Sequence, residues 1–143
     1  PFLHFLSPKN TSEIQALYSH QIGMQGVDSH QETYEVEKQA KKLALQLSCI
    51  IVVTGAIDFI TDGERMAYVH EGHSMMGKVT AMGCTATGIV GAFLAVNSDP
   101  LEASFHAMKA MGIAGKSAAS RSRGTGSMMI NFLDELSNLM AYD

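Results

Sequence analysis

Cys49-Ile50-Ile51-Val52-Val53-Thr54-Gly55 is an unbroken, largely β-branched run closed by a glycine. A half-solvated strand alternates apolar and polar residues. This run does not, so it predicts a strand covered on both faces, as in a parallel sheet layered by helices. On its N-terminal side, Glu32 to Leu47 carries Val36, Ala40, Leu43, Ala44 and Leu47 on one helical stripe, with Glu35, Lys38, Lys41 and Lys42 on the solvated face. On its C-terminal side, Asp58 to Ile60 and Arg65 to Val69 flank Thr61-Asp62-Gly63-Glu64, a hairpin signal.

Farther out, Phe2 to Leu6 reads as a buried strand stopped by Ser7-Pro8. Asn10, Glu13, Ile14, Leu17 and Tyr18 then read as the capped start of a helix. Beyond Cys84, Ile89, Val90, Phe93, Leu94 and Val96 predict a helix apolar almost all round, and so a core helix. Pro100 opens another, with Leu101, Phe105, Met108 and Met111 on one face, and Ser127 caps a last one carrying Met129, Phe132, Leu133, Leu136 and Met140. Strand, helix, helix, strand, hairpin and three helices predict an α/β layer structure, its sheet mostly parallel with an antiparallel edge: half of a doubly wound domain. Ligands of such sheets bind beyond the carboxyl ends of the strands, where Ser7 to Asn10 and Thr54-Gly55 fall.

The 143 residues suffice for one domain with a core, and 46% hydrophobic against 17% charged residues is ordinary globular composition. A formal net charge of −4 argues against nucleic acid or an anionic membrane as partner. No stretch reaches the eighteen or so apolar residues of a membrane span. Cys49 opens an apolar strand and Cys84 closes a Gly-rich loop, surroundings too different for a disulfide framework, and a reducing, cytoplasmic setting is expected. The start at Pro1, directly into Phe2-Leu3-His4-Phe5-Leu6, reads as a cut through a larger domain.

The chemistry points to Gly77-Lys78-Val79-Thr80-Ala81-Met82-Gly83-Cys84-Thr85-Ala86-Thr87-Gly88. A loop of small residues and hydroxyls runs here into a helix, so unpaired backbone N–H groups and the positive end of a helix dipole converge at Cys84, a ready anion site. A thiol at such a position tends to ionise more easily than one in mid-helix. As a bare pattern, the stretch also reads as structural punctuation. His70-Glu71-Gly72-His73 fits turn chemistry better than zinc, since the helical zinc pattern needs histidines four apart. Most of the ten methionines fall on helical apolar faces as core filler; Met82, in the loop, is the exception.

Several separated blocks, in order, resemble the C-terminal half of the hydroxyethylthiazole kinase family of the ribokinase-like superfamily. They are Val53-Thr54-Gly55, Asp62-Gly63, His70-Glu71-Gly72-His73, Lys78-Val79-Thr80, Gly83-Cys84, Val90-Gly91-Ala92-Phe93, Asn97-Ser98-Asp99-Pro100-Leu101 and Gly124-Thr125-Gly126-Ser127, with Asn10-Thr11-Ser12-Glu13 upstream. The resemblance covers nearly the whole chain and implies a three-layer ribokinase-like sandwich of which residues 1–143 are the C-terminal part. It implies ATP-dependent phosphorylation of the hydroxyl of 4-methyl-5-(2-hydroxyethyl)thiazole in thiamine salvage. By the same resemblance Cys84 acts as base or hydroxyl positioner, and the N–H groups of Ala81, Met82, Gly83 and Cys84 form the anion hole. Ala81 would touch the thiazole, Thr54 and Lys9 the ATP, and Glu13 with Asn10 the magnesium side. Asn10 to Glu13 also reads as a simple capping box, and both roles are compatible. A homo-oligomer, a trimer, is implied too.

Three positions depart from the family. Its Gly-Thr-Gly-Cys is Ala81-Met82-Gly83-Cys84, its Arg-Gly-Asn is Pro8-Lys9-Asn10, and Thr125 replaces a proline. Ala81 matters most if its backbone needs φ > 0. Lys9 lacks the bidentate fork of arginine. Two alternatives stay open: a kinase of another small alcohol, and a non-catalytic ligand-binding relative.

Overall fold

The computed structural model describes residues 4–10, 14 and 29–139. Four strands form one sheet in the order β1-β2-β3-β4: β1 (His4–Asn10), β2 (Cys49–Thr54), β3 (Asp58–Thr61) and β4 (Met66–Val69). β1 and β2 are parallel, and the two hairpin pairs beyond them antiparallel, which gives the expected antiparallel edge. Helix α1 (Ser29–Leu47) joins β1 to β2 as the crossover. Helices α2 (Met82–Val96), α3 (Pro100–Ser120) and α4 (Thr125–Leu139) follow the hairpin.

β2 is buried on both faces, as its composition demands. Ile51 and Val53 point with Cys49 and Phe59 into one core shared with Ile14, Val36, Ala40, Leu43 and Ala44. Ile50 and Val52, with Ile60 and Val69, point into the other core, under α2, α3 and α4. Helices therefore cover both faces of the sheet. The central helix on the second face is α3, whose Ala103, Ala107, Met108, Met111, Ala114 and Ala118 are buried. Its start is well defined: Asp99 Oδ1 accepts from the N–H groups of Leu101 (3.0 Å) and Glu102 (3.4 Å), and Pro100 occupies the first turn.

Several elements differ from the sequence reading. Ser7-Pro8 does not stop β1. The strand continues to Asn10, with an irregular register between Leu6 and Lys9. Proline lacks the N–H the ladder needs, so the pairing shifts around it and then resumes. The helix expected from Asn10 is described only at Ile14, which is helical and buried; the capping roles of Asn10 and Glu13 lie outside the described residues, as do Leu17, Tyr18 and Met140. In the hairpin, Thr61 belongs to the strand and Arg65 to the turn, because Thr61 Oγ1 donates to the Arg65 carbonyl (2.7 Å) and accepts from Gly63 N–H (2.9 Å). Ser127 sits inside the first turn of α4 and reaches back, accepting from the N–H groups of Arg123 (2.9 Å) and Gly124 (3.2 Å).

The largest difference is α2. Its apolar composition predicts a core helix, yet only Ala86 and Val90 are buried. Gly88, Gly91, Ala92, Ala95 and Val96 are exposed, Val96 at 87%. Among the described residues nothing covers that side, and composition alone cannot say which layer a helix lacks.

Candidate active site

The N-terminus of α2 is built by a compact segment. After β4, His73 Nδ1 accepts from Met75 N–H (3.2 Å) and a single 3-10 turn spans Met76–Lys78, so the His70-to-His73 stretch acts as turn chemistry. Val79 N–H donates to the Met76 carbonyl (3.0 Å) and its buried side chain pins the segment to the core. The chain then turns sharply at Ala81, which is left-handed (φ 67°, ψ 9°), and enters the helix at Met82. Cys84 is thus the third helical residue, not the last of a loop, and it is exposed. The left-handed backbone is what a glycine supplies freely; a Cβ there costs roughly 1–2 kcal/mol.

The first intrahelical bond runs from Thr85 N–H to the Ala81 carbonyl (2.9 Å), so the N–H groups of Met82, Gly83 and Cys84 precede the helical ladder. No side chain caps this end. Asp99 caps α3, while at α4 Ser127 Oγ takes the N–H groups of Arg123 and Gly124, just ahead of the helix, whose ladder begins with Met128 N–H donating to the Gly124 carbonyl (2.9 Å). Gly83 presents bare backbone at the α2 start, with nothing within 4 Å of a would-be Cβ, and Cys84 stands exposed beside it. That arrangement suits an anion.

A second group lies at the carboxyl ends of the parallel strands. The β1–β2 register pairs Lys9 with Val53 and Asn10 with Thr54. Three expected residues therefore meet at one strand end. By alternation Thr54 belongs to the face of Ile50 and Val52, the face on which α2 packs. The side chains of Lys9 and Asn10, and Glu13 altogether, lie outside what the structure describes.

Two features escaped the sequence reading. Asp58 Oδ1 accepts from Gly55 N–H (3.0 Å) and closes the turn after Thr54. Burial pushes its carboxyl up to about 6, a rise that the Gly55 N–H only partly opposes. An aspartate closing a three-residue loop is a legible turn signal. The other is Arg65, whose Nε donates to Asp62 Oδ2 (2.7 Å) and whose two terminal nitrogens donate to Asp99 (2.6 and 3.1 Å). This fork ties the hairpin tip to the start of α3; it rests on two residues 34 apart, which no local pattern joins. The Arg65 guanidinium holds Asp99 below the usual carboxylate range. At Asp62 desolvation works the other way but is outweighed by the Arg65 and Glu64 N–H groups and the guanidinium.

The sequence profile of the hydroxyethylthiazole kinase family matches residues 8–142. The chain belongs to the hydroxyethylthiazole kinase family. Among its relatives, the hydroxyethylthiazole kinase of Desulfotalea psychrophila is 43% identical over 130 residues, covering 91% of this chain and 48% of that protein. The one from Granulibacter bethesdensis is 45% identical over 127 residues, 89% and 46% respectively. The solved hydroxyethylthiazole kinase of Pyrococcus horikoshii OT3 superposes with a TM-score of 0.79 at 31% identity, over 93% of this chain and 50% of that one. Membership makes the fold ribokinase-like. The chain spans about half the length of the curated relatives it matches.

Proposed function

We propose that residues 1–143 form the C-terminal part of a single ribokinase-like kinase domain that phosphorylates the hydroxyl of 4-methyl-5-(2-hydroxyethyl)thiazole with ATP. The observation that carries this reading is the uncapped start of α2, with exposed Cys84 at its third position and the bare backbone of Gly83 beside it. Developing charge on the transferred phosphoryl group is stabilised by N–H groups of Ala81, Met82, Gly83 and Cys84, which are fixed before reaction and need no reorganisation. Cys84 accepts the proton of the substrate hydroxyl, or orients it, as the hydroxyl oxygen attacks the γ-phosphorus and ADP leaves. Ala81, at the mouth of this loop, faces the thiazole.

Thr54 and Lys9, in neighbouring rows at the carboxyl ends of β1 and β2, contact the nucleotide. Asn10 and Glu13 offer amide and carboxylate oxygens, the hard donors that magnesium prefers, and would hold it mostly through water. When bound, the cation supplies charge neutralisation on the phosphates. No helix among the described residues is long and apolar enough to cross a membrane. We place the reaction in the cytoplasm and in a homo-oligomer, a trimer by family likeness.

The test is ADP formation from Mg-ATP by the protein at its natural length, with the thiazole alcohol and a panel of other small alcohols. ADP should form with the thiazole alcohol first, and Cys84→Ala should lower kcat by about 100-fold or more, as for loss of a positioned proton acceptor. Equal turnover of an unrelated alcohol would redirect the substrate assignment, and nucleotide binding without turnover would mark a non-catalytic relative.

A further inference from the structure

The β2–β3 connection is a three-residue loop, Gly55-Ala56-Ile57. Val53 pairs with Phe59, so the next pair outward is Thr54 opposite Asp58, and Asp58 in turn pairs with Val69 on β4. With Asn10 paired to Thr54, one row runs across the sheet at the carboxyl ends of β1 and β2: Asn10, Thr54, Asp58. Residues in one row share a face. The half-buried Asp58 carboxylate takes the first N–H after Thr54, that of Gly55, at 3.0 Å.

Gly55 adds an independent observation. Its φ is not left-handed, and a Cβ built on it would meet only the Ile57 carbonyl oxygen at 3.4 Å, an ordinary contact. Nothing in the described chain requires a glycine there. The residue is exposed and leaves its backbone bare on the rim of the sheet. Bare backbone that the chain itself does not need is where a ligand can approach closely.

We infer that Asp58 is a positioning residue for the nucleotide: by holding the Gly55 N–H it sets the turn that presents Thr54 and turns the bare Gly55 backbone toward the bound nucleotide. This rests on the nucleotide site proposed above. A neutral acceptor at the same atom would serve the same purpose, so Asn is the conservative variant and Ala the disruptive one.

The experiment is calorimetric binding of the non-hydrolysable analogue Mg-AMP-PNP to the protein at its natural length, alongside Thr54→Val, Asp58→Ala, Asp58→Asn and Gly55→Ala. Asp58→Ala should weaken binding about 5- to 10-fold, the loss of roughly one hydrogen bond, with thiazole-alcohol affinity unchanged. Asp58→Asn should bind within about 3-fold of wild type. Gly55→Ala should keep the wild-type melting temperature yet bind the analogue at least about 10-fold more weakly, because the methyl group meets ligand and not chain. Gly55→Ala remains informative even where Asp58→Ala does not fold. Wild-type affinity in Gly55→Ala or in folded Asp58→Ala, with Thr54→Val weakened, would overturn this inference and leave the nucleotide site standing. Absence of analogue binding by wild type would overturn both.

Discussion

Ala81 is a residue placed against its own preference. Its backbone is left-handed at the entrance of α2, where the family carries glycine, and the conformation holds because the Met76–Lys78 turn and buried Val79 fix one side and the helix the other. Ala81→Gly should raise stability by about 1 kcal/mol, the relief of strain less the added freedom of the unfolded chain, read from urea midpoints. A loss would show that the methyl group packs usefully. Asp58 poses the opposite case. A carboxyl whose folded value is raised from 3.8 to about 6 binds its proton more tightly when folded. Its contribution to stability is therefore best below 3.8 and declines as pH rises through 6. Asp58→Asn keeps the acceptor for Gly55 and removes that burden, so it should stabilise at pH 7.5 by up to about 3 kcal/mol and change little at pH 3.5. Equal effects at both pH values would contradict this. The possible left-handed need at Ala81 was readable from its departure from glycine; the burial of Asp58 was not, since desolvation depends on what packs around a strand end.

The elements show where local pattern suffices. β2, the Pro100 start of α3 and Val36, Ala40, Leu43 and Ala44 of the α1 stripe follow from spacing alone and lie where their residues predict, whereas Leu47, at the end of that stripe, is exposed. β1 outlasts Ser7-Pro8 because the β2 ladder resumes beyond the proline, a long-range effect that overrides a local stop. The seating of the segment before Cys84 is likewise non-local. Gly112 and Gly115 of α3 form its bed: a Cβ at Gly112 would lie 2.7 Å from the backbone of Glu71, and one at Gly115 would lie 2.2 Å from the Met76 sulfur. Backbone cannot yield as a flexible methionine can. Gly112→Ala should cost about 1–3 kcal/mol and raise hydrogen exchange at the amides of residues 71–79, whereas Gly115→Ala should cost less. The reverse order would mean that the segment is held by its own turns and not by α3.

At the scale of the whole molecule, the sheet and its two cores were foreseeable, but the surface of α2 was not. A helix of Gly, Ala, Ile, Val, Phe and Leu has a composition that demands cover, and the described residues cover only the side of Ala86 and Val90. The chain spans about half the length of the curated relatives it matches, and on the proposal that residues 1–143 are the C-terminal part of a larger domain, the rest of that domain lies against the open side. Ala92→Arg tests this. On a solvated helix face the change should stay within about 0.5 kcal/mol, whereas under a packed layer it should cost several times that in the protein at its natural length. A neutral result would leave the open side to solvent.

The proposed function requires the start of α2 to receive the phosphates. Amide chemical-shift mapping of the protein at its natural length, titrated with Mg-AMP-PNP, reads it directly. The largest shifts should fall on Met82, Gly83 and Cys84, the N–H groups ahead of the helical ladder, with Thr54 and Gly55 moving in the same titration. Saturable binding that shifts Gly124 to Ser127 or the start of α3, and leaves Met82 to Cys84 unmoved, would contradict the account.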